Sequence, residues 1–105
     1  MEFSKQINMV KLHVAAEHAT KLLKVLSNHD RLVLLCQMTH GEHSVSNLEA
    51  STGIQQPTLS QQLSVLRKEK LVNTRREGKQ IFYCIASDEA LAVLQVLYQL
   101  YCLKE

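Results

Sequence analysis

Glycine is scarce in this sequence, and the three present, Gly41, Gly53 and Gly78, fall between periodic segments where the backbone must turn. None is left for a glycine-rich loop that cradles phosphates or for the strained elbow that presents a nucleophilic serine. With no cluster of ligands at metal-site spacing either, the chain does not read as an enzyme, and no cofactor is expected. Long apolar runs are missing: no window approaches the roughly 18 apolar residues of a membrane span. The stretch Met1 to Asn8 also lacks the apolar core of a signal peptide. A cytoplasmic protein with no membrane partner is expected. Cysteine is present three times, an odd number with no close pair. That is not a secreted disulfide framework, so in a reducing compartment these are buried thiols, ligands or sensors.

What is present fits one domain, residues 1–105, since single cores commonly run to about 100–150 residues. So short a chain buries only about two-thirds of its unfolded surface, which makes an interface with a second copy useful. The net charge of +2 is unevenly spread. From Gln55 to Gln80, the cations Arg67, Lys68, Lys70, Arg75, Arg76 and Lys79 face only Glu69 and Glu77. That segment therefore carries +4 and the remainder −2. A cationic segment on a slightly acidic protein is the footprint of a duplex-binding face, although a solvated surface can look the same.

Apolar residues recur at helical spacing from about Lys5 to Ser27 (Ala15, Ala19, Leu22, Leu23, Leu26) and again over Leu32 to Met38. Short polar residues at Asn28 to Asp30 are suited to capping the second helix. Ser46-Asn47-Leu48-Glu49 reads as a capping box opening a short helix that stops at Gly53. Pro57 suits the first turn of a further helix, with Leu59, Leu63 and Leu66 at i, i+4 and i+7. Two helices joined by a tight glycine-containing turn form a helix-turn-helix. Leu71 to Arg76 and Gln80 to Ile85 then read as a hairpin, and Asp88 to Lys104 as a helix apolar on more than one face. The expected class is mainly α with a small β-hairpin: a winged helix-turn-helix of five helices and a two-stranded wing. The N- and C-terminal helices are expected to pair in a homodimer.

Between its leucines the second helix of the motif offers Gln55, Gln56, Thr58, Ser60, Gln61, Gln62, Ser64 and Arg67. Glutamine grips adenine at two points in the major groove, and serine and threonine adapt to bases or phosphates. Within a helix-turn-helix frame these are candidate contacts to double-stranded operator DNA. Arg75, Arg76 and Lys79 at the hairpin tip are candidates for salt-dependent phosphate or minor-groove contacts.

At this point the residues become recognisable. Leu23-Lys24-Val25-Leu26-Ser27-Asn28-His29-Asp30-Arg31-Leu32, Gln56-Pro57-Thr58-Leu59-Ser60-Gln61-Gln62-Leu63-Ser64-Val65-Leu66-Arg67, Leu71-Val72, Arg75-Arg76-Glu77-Gly78-Lys79 and Phe82-Tyr83 together resemble the arsenical-resistance-repressor (ArsR) family over nearly the whole chain. The resemblance implies a winged-helix homodimer that leaves its operator when an inducer arrives. Two positions depart from the pattern: Gln62 stands where many members carry histidine, and Lys70 where many carry glycine before the wing.

Many members sense metals, but the family's second-helix thiolate motif is reduced here to Cys36 alone, and no histidine follows His43 to build the terminal-helix site. His40 and His43 around Gly41 are at most a weak chelating pair. Taken alone, Cys36 among Leu34, Leu35 and Met38 reads as a small core residue, whereas Cys102 near the chain end does not; Cys84 reads as packing. One second-helix cysteine with one terminal-helix cysteine resembles the sulfide- and persulfide-responsive, biofilm-growth-associated repressor branch of the family. That resemblance implies that Cys36 and Cys102 are a redox-sensing pair, linked by a disulfide or polysulfide when a persulfide or polysulfide inducer acts. A repressor responding to general oxidants or to metal, and a winged helix serving only as a protein-interaction module, are the alternatives.

Overall fold

A computed structural model of the chain describes residues 8–103. Among the described residues, five helices and three short strands follow in the order α1 (Met9–Leu26), α2 (His29–Gln37), β1 (His43–Ser44), α3 (Val45–Thr52), α4 (Thr58–Lys68), β2 (Val72–Glu77), β3 (Gln80–Ile85) and α5 (Asp88–Tyr101). A single 3-10 turn, Met38–His40, ends α2. This is the winged helix-turn-helix expected from the sequence. The start of the first helix near Lys5 and the end of the last at Lys104 lie outside the described residues.

Helices α1, α2, α3 and α5 each begin on a side-chain cap. Asn8 Oδ1 accepts the Val10 and Lys11 amides, Asn28 Oδ1 accepts that of Arg31, and Ser87 Oγ accepts that of Ala90. The expected capping box at Ser46 to Glu49 is not what opens α3. Its cap is Ser44, whose Oγ accepts the Asn47 amide at 3.1 Å. Ser44 is held extended by pairing with Phe82, which gives it the backbone geometry a cap requires. Ser46 falls inside the first turn, its hydroxyl 3.2 Å from that of Ser44. Gly53 ends α3 at φ 76°, a left-handed turn a side chain resists. Pro57 stands one position before α4, and its carbonyl accepts the Gln61 amide.

Leu34, Leu35, Leu48, Leu59, Leu63, Leu66 and Leu94 are the fully or almost fully buried centre, drawn from α2, α3, α4 and α5. The hairpin closes over it with Val72 and Tyr83. The strand order is β1-β3-β2, so the wing is extended by a strand too short to announce itself in sequence. Glu77 pairs with Gln80 across a two-residue turn in which Gly78 supplies φ 63°, the positive value such a turn needs first.

Helix α1 stands apart. Every residue from Asn8 to Lys21 is exposed, and only Val25 and Leu26 at its far end are buried. The Cα radius of gyration is 15.9 Å, against about 13 Å for a compact chain of about 100 residues.

Candidate nucleic-acid interface and thiol pair

The helix-turn-helix is α3 and α4, joined through Gly53 to Pro57. Because Leu59, Leu63 and Leu66 face the core, the opposite side of α4 is fixed by helical period. Ser60, Gln61, Ser64 and Arg67 lie exposed there, with Gln55 and Gln56 exposed just ahead of the helix. Thr58 and Gln62 are half-buried. Two glutamines are already engaged: Gln56 Oε1 accepts the Ser60 amide at 3.0 Å, and Gln62 Oε1 accepts from Arg31 Nη1 at 3.0 Å. The expected contact residues are thus brought to one end and one face of α4, except that Gln62 is turned toward α2.

The wing separates its three cations. Arg75 and Glu77 share one face of β2, and Arg75 Nη1 donates to Glu77 at 2.9 Å. Across β3, the Arg75 Nε donates to both carboxylate oxygens of Glu42, at 2.9 and 2.7 Å. Its guanidinium also lies 4.6 Å from the centroid of its cross-strand partner Phe82. The hydrogen bond from Arg75 holds the Glu42 carboxyl below its usual range, and Glu42 and Glu77 together stabilise the Arg75 charge. Arg76 points to the other face, and neither it nor Lys79 at the turn forms an ion pair among the described residues. Those two remain the wing cations available to phosphate.

Two residues of this site escaped sequence reasoning. Glu42 precedes a two-residue strand whose pairing alone carries it to the wing, and Arg31 meets Gln62 from 31 residues away. Neither contact leaves a local signal.

The three cysteines are free thiols: Cys36 and Cys84 half-buried, Cys102 exposed. Cys84 lies on β3 opposite Asn73. Cys36 packs against the core cluster, and its thiol is pushed up first by that burial and second by the charge of Cys102. Cys36 lies in the last turn of α2 and Cys102 immediately follows α5. His40 is exposed at the end of the 3-10 turn and His43 lies on β1. No group of three or more metal-ligating side chains occurs among the described residues, and no helix there is long and apolar enough to cross a membrane.

Comparisons with known proteins place this geometry. Residues 28–74, spanning α2 through the start of the wing, match the model of the bacterial regulatory protein, arsR family. The biofilm growth-associated repressor of Agrobacterium fabrum is 45% identical over 108 aligned residues, covering 100% of this chain and 92% of that protein. The crystal structure of the transcriptional repressor BigR from Xylella fastidiosa superposes with a TM-score of 0.86 at 43% identity, covering 93% of this chain and 100% of that one. At 26% identity and a TM-score of 0.71, the chain also resembles the homodimeric winged helix-turn-helix DNA-binding domain of a possible ArsR-family regulator from Mycobacterium bovis, over 90% of this chain and 86% of that one.

Proposed function

The chain belongs to the arsR family of bacterial regulatory proteins, and on that premise we propose that it is a cytoplasmic homodimeric repressor that releases operator DNA when a persulfide links Cys36 to Cys102. The observation that carries the DNA-binding half is the division of α4: its leucines are buried while Ser60, Gln61, Ser64 and Arg67 stay in water, as do Arg76 and Lys79 of the wing. Groove contacts from the helix and phosphate contacts from the wing follow. The apolar side chains left exposed on α1 (Met9, Val10, Leu12, Val14) and on α5 (Val96, Leu100, Tyr101) supply the dimer face. The Mycobacterium bovis relative is described as homodimeric.

The sensing half rests on the thiol pair. Exposed Cys102 attacks the sulfane sulfur of a persulfide RSSH; the S–S bond breaks, RSH leaves, and Cys102 carries the persulfide. The Cys36 sulfur then attacks the inner sulfur of Cys102, expelling the hydrosulfide anion and leaving a disulfide. Two protein thiols are oxidised, and RSSH is reduced to RSH and hydrogen sulfide. Where both thiols have taken up a sulfane sulfur, the same expulsion leaves a three-sulfur bridge. Tying α2 to α5 changes how the two copies of α4 are held. A coupling typical of allosteric proteins would weaken operator binding about 5- to 150-fold.

The test is to select a duplex from a random-sequence library with reduced protein, then titrate it before and after treatment with an organic persulfide while weighing the cysteine peptides. A linked Cys36–Cys102 peptide together with weakened binding is expected. Unchanged affinity or unlinked peptides overturns the sensing claim. Parallel arms with peroxide and zinc separate it from general oxidant and metal sensing, either of which acting alone would replace it.

A further inference from the structure

Arg31 joins three elements. From the first turn of α2 its Nε donates to the Val25 carbonyl at 2.7 Å, its Nη2 to the Lys24 carbonyl at 3.4 Å, and its Nη1 to Gln62 Oε1 at 3.0 Å. The two carbonyls belong to the last turn of α1, where helix carbonyls lack partners within the helix and a cation is favoured. Gln62 lies midway along α4 and is half-buried, whereas Gln61 and Ser64 beside it are exposed. A planar guanidinium bonded on three sides fixes direction as well as distance, which a lysine ammonium does not. Because α1 meets the rest of the chain through its last turn, few contacts set its angle to α4, and this is a polar one among them.

We propose that Arg31 is a positioning residue that sets α4 against α1 through Gln62, and that Gln62 serves recognition as the acceptor of this link and does not read a base. The inference rests on the reading of α4 as the groove-entering helix and of α1 as part of the dimer face. Under that reading the link fixes the separation of the two recognition helices, which must match half-sites about 34 Å apart.

The test uses the full chain, a duplex selected by the wild-type protein from a random-sequence library, and a scrambled duplex of equal length. Arg31→Lys keeps the charge and loses the fork, Gln62→Ala removes the acceptor, and the double variant closes a mutant cycle. Each single substitution is expected to weaken binding to the selected duplex about tenfold. Binding to the scrambled duplex, which depends on phosphate contacts, stays within about twofold. The double variant is expected to bind no worse than the singles. Multiplying effects, giving about a hundredfold loss in the double variant, overturn the proposal. So does a Gln62→Ala protein that relaxes preference at one base pair while Arg31→Lys binds as wild type. A merely structural role would lower the melting temperature and leave the ratio of selected to scrambled binding unmoved. Should Arg31→Lys fail to fold, Gln62→Glu takes its place: it keeps an acceptor and is expected to recover the ratio of selected to scrambled binding lost in Gln62→Ala, and failure to recover overturns the link. A wild-type chain that enriches no duplex overturns the DNA-reading premise itself, before any variant is compared.

Discussion

Lys70 carries a backbone strain, a left-handed conformation at a residue that is not glycine. It lies at φ 63° just after α4, where its amide donates to the Arg67 carbonyl at 3.1 Å and that of Leu71 to the Leu66 carbonyl at 3.0 Å. This pair of bonds is the Schellman ending of a helix, and its left-handed residue is ordinarily glycine. An L-residue there costs about 1–2 kcal/mol. Lys70→Gly is therefore expected to stabilise the fold by about 1 kcal/mol, seen as a melting temperature about 4–8 °C higher at fixed protein concentration. A lower melting temperature would mean that the lysine makes a compensating contact. Turns at Gly53 and Gly78 were legible because glycine itself marks them, whereas at Lys70 composition is silent and only the likeness to glycine-bearing relatives pointed to the position. Cys36 offers a second measurement at this scale. Burial first, and the Cys102 charge second, disfavour its thiolate. Iodoacetamide, which reacts with thiolates, should modify exposed Cys102 before Cys36, and Cys36 labelling should keep rising beyond the ordinary thiol range. The unfolded chain ionises this thiol first, so its contribution to stability is present below that range and is lost as pH climbs through it. Equal labelling of the two at neutral pH would contradict the burial argument.

Among the elements, the wing shows how a charge count misleads. Three cations near a hairpin tip read alike in sequence, yet strand alternation places Arg75 with Glu77, and the pairing of β1 brings Glu42 to the same guanidinium. The trio carries a net negative charge, so Arg75 adds little to the field felt by phosphate. Arg76→Gln is expected to reduce the slope of log affinity against log salt by about 1. Arg75→Gln should leave that slope nearly unchanged. Equal losses would show that Arg75 abandons its carboxylates on binding. The same two-residue strand explains why α3 begins where it does: Ser44 and Ser46 are equivalent as letters, and only pairing with Phe82 makes the first of them the cap. Local spacing foretold the hairpin, the leucine stripe of α4 and the glycine stops. What it missed, β1 and the contacts of Glu42 and Arg31, depends on partners distant in sequence.

At the scale of the whole molecule, the order of elements sufficed for the fold, because capped helices, a glycine turn and a hairpin in this succession admit few arrangements around one leucine core. The second copy was less legible. The sequence presents an apolar stripe on α1, but only the structure shows that Ala15, Ala19 and Leu23 on it stay in water within one chain, while Leu26 is buried. An 18-residue helix exposed along most of its length gains little from its own chain and is marginal alone. Its stability should therefore come from a partner, making the melting temperature rise with protein concentration. Leu100→Glu, which places a charge on the exposed apolar side of α5, is expected to sediment as the 11.9 kDa monomer. Losing the second half-site should cost it roughly a hundredfold or more in operator affinity. The paired control is Gln95→Glu, an exposed polar position on the same helix, which adds the same charge without touching the apolar face. If Leu100→Glu sediments and binds DNA as the control does, the two copies meet somewhere other than α5, and the proposed Cys36–Cys102 bridge would have to act on the recognition helices along α1.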